Sequence, residues 1–207
     1  MFSLFFPAII GARLFYVAFS DVEWTEILKV WEGGLSIIGG IVGGFLGLLV
    51  YSLIKKKNIF ALTDLIVPVL LLGQAIGRWG NYANQEVFGK VVTNSNLQWF
   101  PFAVYINETM QWHYALFFYE SVVNFICAVV ILCCFKKVNK IGYFTAIYLI
   151  FYGIVRSVME LFRDNNFILQ TSTGLPISFI FSFVFISLGI ALITYCLIRD
   201  IRGKKNA

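Results

Sequence analysis

Residues 61–89 read ALTDLIVPVLLLGQAIGRWGNYANQEVFG. Positions 61–78 are almost wholly apolar, and a stretch of about 20 such residues is what a helix needs to cross a bilayer. The run that follows, GRWGNYANQEVFG at 77–89, sets Arg78, Asn81, Asn84 and Glu86 between glycines 77, 80 and 89. Polar side chains at membrane depth are costly and mark functional sites. The glycines permit tight turns and close approach of backbone. A polar turn at a helix end accounts for one or two such residues, but poorly for the whole run.

The rest of the 207-residue chain has the same character. It is 59% hydrophobic and 13% charged, with 22 Phe. A soluble domain of this size cannot hide so much apolar surface. The net charge of +5 does not point to nucleic acid, because ten of the 16 basic residues fall in three short clusters that each follow an apolar stretch. These are Lys55, Lys56 and Lys57; Lys136, Lys137 and Lys140; and Arg199, Arg202, Lys204 and Lys205. Basic residues flanking spans mark the cytoplasmic side.

Six candidate spans result: 2–19, 34–54, 61–78, 115–135, 142–162 and 174–198. The expected fold is an all-α polytopic membrane helix bundle, one domain over 1–207, with a cytoplasmic C-terminus and an outward-facing polar site. Three loops lie outside: an acidic, aromatic one at 20–33 suited to the interface, a long extracytoplasmic one at 79–114, and a short one at 163–173. The first span begins at Met1 without a basic lead and carries Arg13. That argues against a cleaved signal peptide and reads as a span whose preceding sequence is absent.

In the fifth span, YGIVRSVMELFR, Tyr152, Arg156, Glu160 and Arg163 are spaced four, four and three apart. On a helix this places them on one face. One reading is an ion pair tying helices together. Two arginines against one carboxylate leave a net cation, which favours an anion site. Arg13, Arg78, Arg156 and Arg163 all fall toward the outer leaflet. Arginine binds phosphate bidentately and stays charged, and the phosphate at that depth is a phospholipid's. Ordinary snorkelling to the interface is the plainer account of each arginine alone.

Other polar residues read as structural. Glu120 and Asn124, one turn apart, order the core of the fourth span. Asp64 marks the inner interface. The one histidine, His113, stands where the fourth span begins. Cys127, Cys133, Cys134 and Cys196 lie in apolar segments without metal or redox spacing and read as buried thiols. The glycines of GGLSIIGGIVGGFLGLL let helices pack backbone to backbone. No nucleotide loop, metal cluster or Ser-His-Asp arrangement is evident, so neither a metal nor a cofactor is expected.

GRWGNYANQEVFG resembles the signature of the bacterial prolipoprotein diacylglyceryl transferases, Gly-Arg-x-Gly-Asn-Phe-x-Asn-x-Glu-x-x-Gly, with Tyr82 in place of Phe. GARLFYV (11–17), WEGGLSIIGG (31–40), FYESVVN (118–124) and YGIVRSVMELFR (152–163) are similar to family segments in the family's order. The resemblance implies transfer of the diacylglyceryl group of phosphatidylglycerol to the lipobox cysteine of a preprolipoprotein, with release of glycerol phosphate outside the plasma membrane. It implies that Arg78 holds the lipid phosphate while Asn81, Asn84 and Glu86 order the headgroup. Arg156 then stabilises the leaving phosphate, oriented by Glu160 and Tyr152.

Two departures from the family stand out. Ile38 replaces a His or Tyr proposed as a base toward the thiol, which leaves proton transfer to His113, Glu86 or solvent. Family members also carry one more N-terminal helix. These departures raise the alternative of an impaired paralogue that binds phospholipid or prolipoprotein without turnover. A transporter would also use intramembrane charges, but the inverted repeats and broken helices of that class are not seen in this sequence.

Overall fold

The computed structural model describes residues 2–19, 28, 34, 36–138, 140–168 and 174–205. The chain falls into two compact units, Met1–Leu62 and Thr63–Ala207.

The first unit pairs α1 (Phe2–Phe19) with α2 (Ile37–Lys55). The Ser36 N–H donates to the Ala12 carbonyl at 3.0 Å, and Gly39 and Gly43 lie against Gly11 and Pro7 respectively. The two helices are therefore antiparallel. A Cβ on Gly39 or Gly43 would collide with backbone of α1, so these glycines bring the two backbones together as small residues do in membrane helices. Ser36 caps α2 by accepting from the Gly39 N–H. Apart from Leu28, the expected loop over 20–33 lies outside the described residues, as does the side chain of Ile38.

The second unit contains α3 (Ile59–Ala83, from Thr63 onward), a hairpin of β1 (Ala103–Ile106) and β2 (Gln111–Tyr114), then α4 (Leu116–Phe135), α5 (Tyr143–Phe162) and α6 (Ile177–Lys205). Helices α3, α4, α5 and α6 are long and apolar enough to cross a membrane; α1 and α2 contain shorter apolar stretches. This is a helical membrane protein. Its exposed surface carries many large apolar side chains, among them Leu65, Val69, Ile76, Phe125 and Ile126, as expected where lipid is the solvent. The same inversion corrects the reading of the cysteines. All four are free, and only Cys196 is buried, while Cys133 is exposed on α4.

Val67 and Leu71 of α3, Ala128 and Ile131 of α4 and Phe144 of α5 form a buried apolar cluster. Phe135 stacks on Phe144 with centroids 5.2 Å apart. Helices α5 and α6 run antiparallel, with Gly153 against Ser182 and Ile186, and Gly189 against Ala146 and Ile150.

Asp64 does more than mark an interface. It is buried and accepts from the Gly142 N–H at 2.6 Å, the Thr145 N–H at 2.7 Å and the Thr145 hydroxyl at 2.6 Å. Gly142, at the start of α5, makes no side-chain cap of its own. A carboxylate from α3 thus satisfies the orphan amides of another helix and complements its dipole. Asp64→Ala is expected to cost about 1–3 kcal/mol, read as a lowered thermal midpoint in detergent, with Asp64→Asn losing less.

Three sequence expectations are corrected. Helix α3 continues through Gly77 and Gly80 to Ala83, instead of ending at 78. Tertiary contacts outweigh the roughly 1 kcal/mol that each glycine costs a helix. The Trp79 indole donates to Ser121 Oγ at 3.1 Å, Ser121 donates to the Ala75 carbonyl at 2.8 Å, and Tyr82 stacks on Phe117 at 4.8 Å. Second, the expected loop at 79–114 contains the hairpin, an element the all-α expectation did not include, paired Val104 to His113 and Tyr105 to Trp112. Third, His113 is in β2 and not at the start of α4.

Candidate active site

The charged residues of α3, α4 and α5 meet at the end of the second unit opposite Asp64. Arg78 forms an ion pair with Glu120. Arg156 lies 3.8 Å from the other oxygen of Glu120 and 3.4 Å from Glu160. Arg163 lies 3.3 Å from Glu160. The result is an alternating chain, Arg78–Glu120–Arg156–Glu160–Arg163, in which, among the described residues, three cations face two anions and leave one positive charge.

Exposure is distributed unevenly along that chain. The carboxylates are deeply buried, with side chains 4% and 1% exposed for Glu120 and Glu160. The Arg78 and Arg156 side chains are 21% and 18% exposed. The accessible face is therefore cationic and the carboxylates stand behind it. Arg156 also donates to Ser178 Oγ at 3.0 Å. Its Nη1, the Arg163 Nε and both Glu160 oxygens are buried and, among the described residues, have no hydrogen-bond partner beyond these ion pairs. Burial and the neighbouring Arg156 push the Arg163 guanidinium below its ordinary value, while Glu160 opposes them.

Glu120 is the residue that the sequence reading missed as part of the site. A carboxylate in the middle of FYESVVN needs a cation at its own depth, and Arg78 and Arg156 are those cations. That need was the available signal.

The glycine-bounded run closes on the cluster from both ends. Arg78 enters it through Glu120. At the other end, Gly89 forms a β-bridge with Arg163, the Lys90 N–H donates to the Phe162 carbonyl at 2.8 Å and the Asp164 N–H to the Phe88 carbonyl at 3.2 Å. Between these ends the backbone turns at Gln85 and Val87, both at positive φ. Gly89 has no room for a side chain, since a Cβ there would lie 2.6 Å from the Tyr114 Cβ and 3.0 Å from the Phe162 oxygen. Gly89→Ala is expected to cost about 1–3 kcal/mol by overpacking and to loosen Arg163. Thermal midpoint and turnover should fall together.

The remaining expected site residues lie around this core. Asn84 donates to Glu86 at 3.1 Å, and this pair is exposed on the turn after α3. Asn81 is half-buried, and its carbonyl accepts from the Glu86 N–H. Tyr152, one turn before Arg156, stacks on Tyr148 at 5.7 Å. His113 is buried in the hairpin. Its Nδ1 donates to the Gly89 carbonyl at 2.7 Å, and its Nε2 lies 2.9 Å from the Thr109 hydroxyl. Both ring nitrogens are thus engaged, Nδ1 fastening the hairpin to Gly89 and Nε2 holding its own turn. Arg13 belongs to the first unit, where it donates to the Gly34 carbonyl at 3.1 Å and lies over the Tyr16 ring.

A groove of about 490 Å³ between α4 and α5 is lined by Val123, Cys127, Val130, Ile147 and Phe151 among others. It is apolar and holds none of the charged residues.

Fold and site together define a helical membrane protein whose described helices α3, α4 and α5 share a cluster of three arginines and two glutamates. The sequence model of the prolipoprotein diacylglyceryl transferase family matches residues 1–195. The chain is 40% identical over 201 residues to the phosphatidylglycerol–prolipoprotein diacylglyceryl transferase of Streptococcus uberis, covering 91% of this chain and 74% of the relative. It is 36% identical over 212 residues to the enzyme of that name from Bacillus velezensis, covering 97% and 76%. With the Staphylococcus aureus relative of the same name the identity is 32% over 206 residues. The chain belongs to the prolipoprotein diacylglyceryl transferase family.

Proposed function

We infer that this chain transfers the diacylglyceryl group of phosphatidylglycerol to the lipobox cysteine thiol of a preprolipoprotein, the first step of lipoprotein maturation. The observation that carries this reading is the excess of three arginines over two glutamates in the cluster among the described residues, with Arg78 and Arg156 its partly exposed members. In the reaction a bond forms between sulfur and the terminal glyceryl carbon. The bond from that carbon to a phosphate oxygen breaks, and its electron pair leaves with glycerol phosphate.

The phosphate goes from one negative charge toward two as that bond breaks. A cationic site then favours the transition state over the bound lipid, which is how charge stabilisation becomes rate. Arg156 is proposed to meet the leaving phosphate, with Glu160 and Glu120 fixing its guanidinium. Arg78 holds the phosphate from the α3 side, while Asn81 and the Asn84–Glu86 pair order the headgroup. Arg163 fastens Glu160 to the hairpin, and Tyr152 packs the helix face beneath Arg156. For Arg13, the proposed headgroup contact rests on the sequence reading.

The thiol proton goes to Glu86 or solvent. Glu86 is exposed on the turn, whereas His113 has both nitrogens engaged within the hairpin. We further propose six spans in the plasma membrane, with the cluster facing outward and the basic C-terminal end cytoplasmic.

Complementation tests this function. When a bacterial host is depleted of its own transferase, expression of this chain should restore the diacylglyceryl thioether on a reporter lipoprotein. Unmodified reporter, with the chain present in the membrane, would refute the assignment.

A further inference from the structure

We propose that the segment from Trp99 to Phe102 is an interfacial anchor, seated at the lipid headgroup boundary at the end of the bundle that carries the ion cluster. Trp99, Phe100 and Phe102 are 53%, 50% and 40% exposed. Apolar side chains scattered singly on a surface need no explanation, but a contiguous group does. These three lie in the loop, outside every membrane-length helix.

The contacts of the segment fix its level. Phe100 packs edge-on against Phe118 at 4.9 Å. The Tyr119 hydroxyl donates to the Phe102 carbonyl at 2.7 Å, and the Ala115 N–H donates to the same carbonyl at 3.3 Å. Phe118 and Tyr119 are in the first turn of α4, a helix of membrane length that begins at Leu116. The segment is thus tied to the point where α4 enters the apolar layer.

The same level is marked on α3. Trp79 and Tyr82 are 45% and 46% exposed, and Trp79 contacts the rings of Phe117 and Phe118. Below this aromatic group the exposed surfaces of α3 and α4 continue as Val69, Ile76, Val122 and Phe125. The patch is therefore continuous with the surface that lipid covers. Trp and Tyr concentrate at membrane–water boundaries, where an apolar ring and a polar tip are both satisfied. Trp99 fits this pattern, since its indole N–H turns to the Asn96 carbonyl at 3.0 Å and its ring, edge-on to Phe102 at 5.0 Å, keeps its outer half exposed to meet lipid. The anchor holds the hairpin, and through Gly89 the Arg163 end of the cluster, at headgroup height.

Tryptophan emission of the full chain in phosphatidylglycerol–phosphatidylcholine vesicles tests this. One set of vesicles carries acyl chains brominated near the headgroup. The emission component lost in Trp99→Phe should be quenched by the brominated lipid and spared by aqueous iodide. Phe100→Trp, made with Trp99 retained, should add emission that the brominated lipid also quenches, so the test does not depend on one variant. A Trp99 component quenched by iodide and insensitive to brominated lipid would overturn the proposal. So would one that only an added lipobox peptide shields from iodide, because the patch would then be a peptide surface.

Discussion

Arg156→Ala is expected to lower turnover by about two to three orders of magnitude, the range for removing one preorganised charge donor, while the protein remains folded. The arrangement of charges explains the separation. Without Arg156, Glu120 keeps Arg78 and Glu160 keeps Arg163, so neither buried carboxylate loses its last cation. What disappears is the cluster's surplus charge, since two arginines then face two carboxylates. Arg156→Lys restores the charge but not the fork, which reaches Glu120, Glu160 and Ser178 together. It should recover only part of the rate, because lysine is a point charge without guanidinium geometry. Turnover of a lipobox peptide and the thermal midpoint, measured on the same preparations, check both halves. Full activity in Arg156→Ala would remove the arginine from the chemistry.

Glu120→Ala should differ from Arg156→Ala by damaging stability and turnover together. Arg78 and Arg156 share this one carboxylate, so its loss leaves two neighbouring guanidiniums without the anion between them. Breaking a buried ion pair from one side costs about 3–5 kcal/mol, because a charge stays behind uncompensated. The thermal midpoint should fall well below that of Arg156→Ala. Glu120→Gln preserves shape and some hydrogen bonding, and should recover stability more than rate. An unchanged midpoint in Glu120→Ala would mean that the two arginines do not depend on the shared carboxylate.

Much of this arrangement is legible in the sequence because lipid imposes simple rules. Apolar length gives the helices, and α1 is a helix over the expected residues 2–19. The spacing of Arg156, Glu160 and Arg163 gives their common face, since that depends only on helix geometry. Partnerships between distant segments are harder to read. Glu120 looked like core polarity because nothing local says which cations lie at its depth. Asp64 looked like an interface marker because the amides it caps begin 78 positions later. Gly77 and Gly80 suggested a helix end, and only the contacts of Trp79 and Tyr82 with α4 explain why α3 continues. The hairpin escaped because its strands are four residues each, too short for alternation to stand out in a polar loop.

The charge left over in Arg78–Glu120–Arg156–Glu160–Arg163 is proposed to stabilise the departing phosphate. The most direct test of this role is the paired release of products in phosphatidylglycerol vesicles supplied with a lipobox peptide. The wild-type chain should yield diacylglyceryl thioether and glycerol phosphate in equal amounts, and Arg156→Ala should yield both at a rate about two to three orders of magnitude lower. Equal rates for the two proteins would contradict the account.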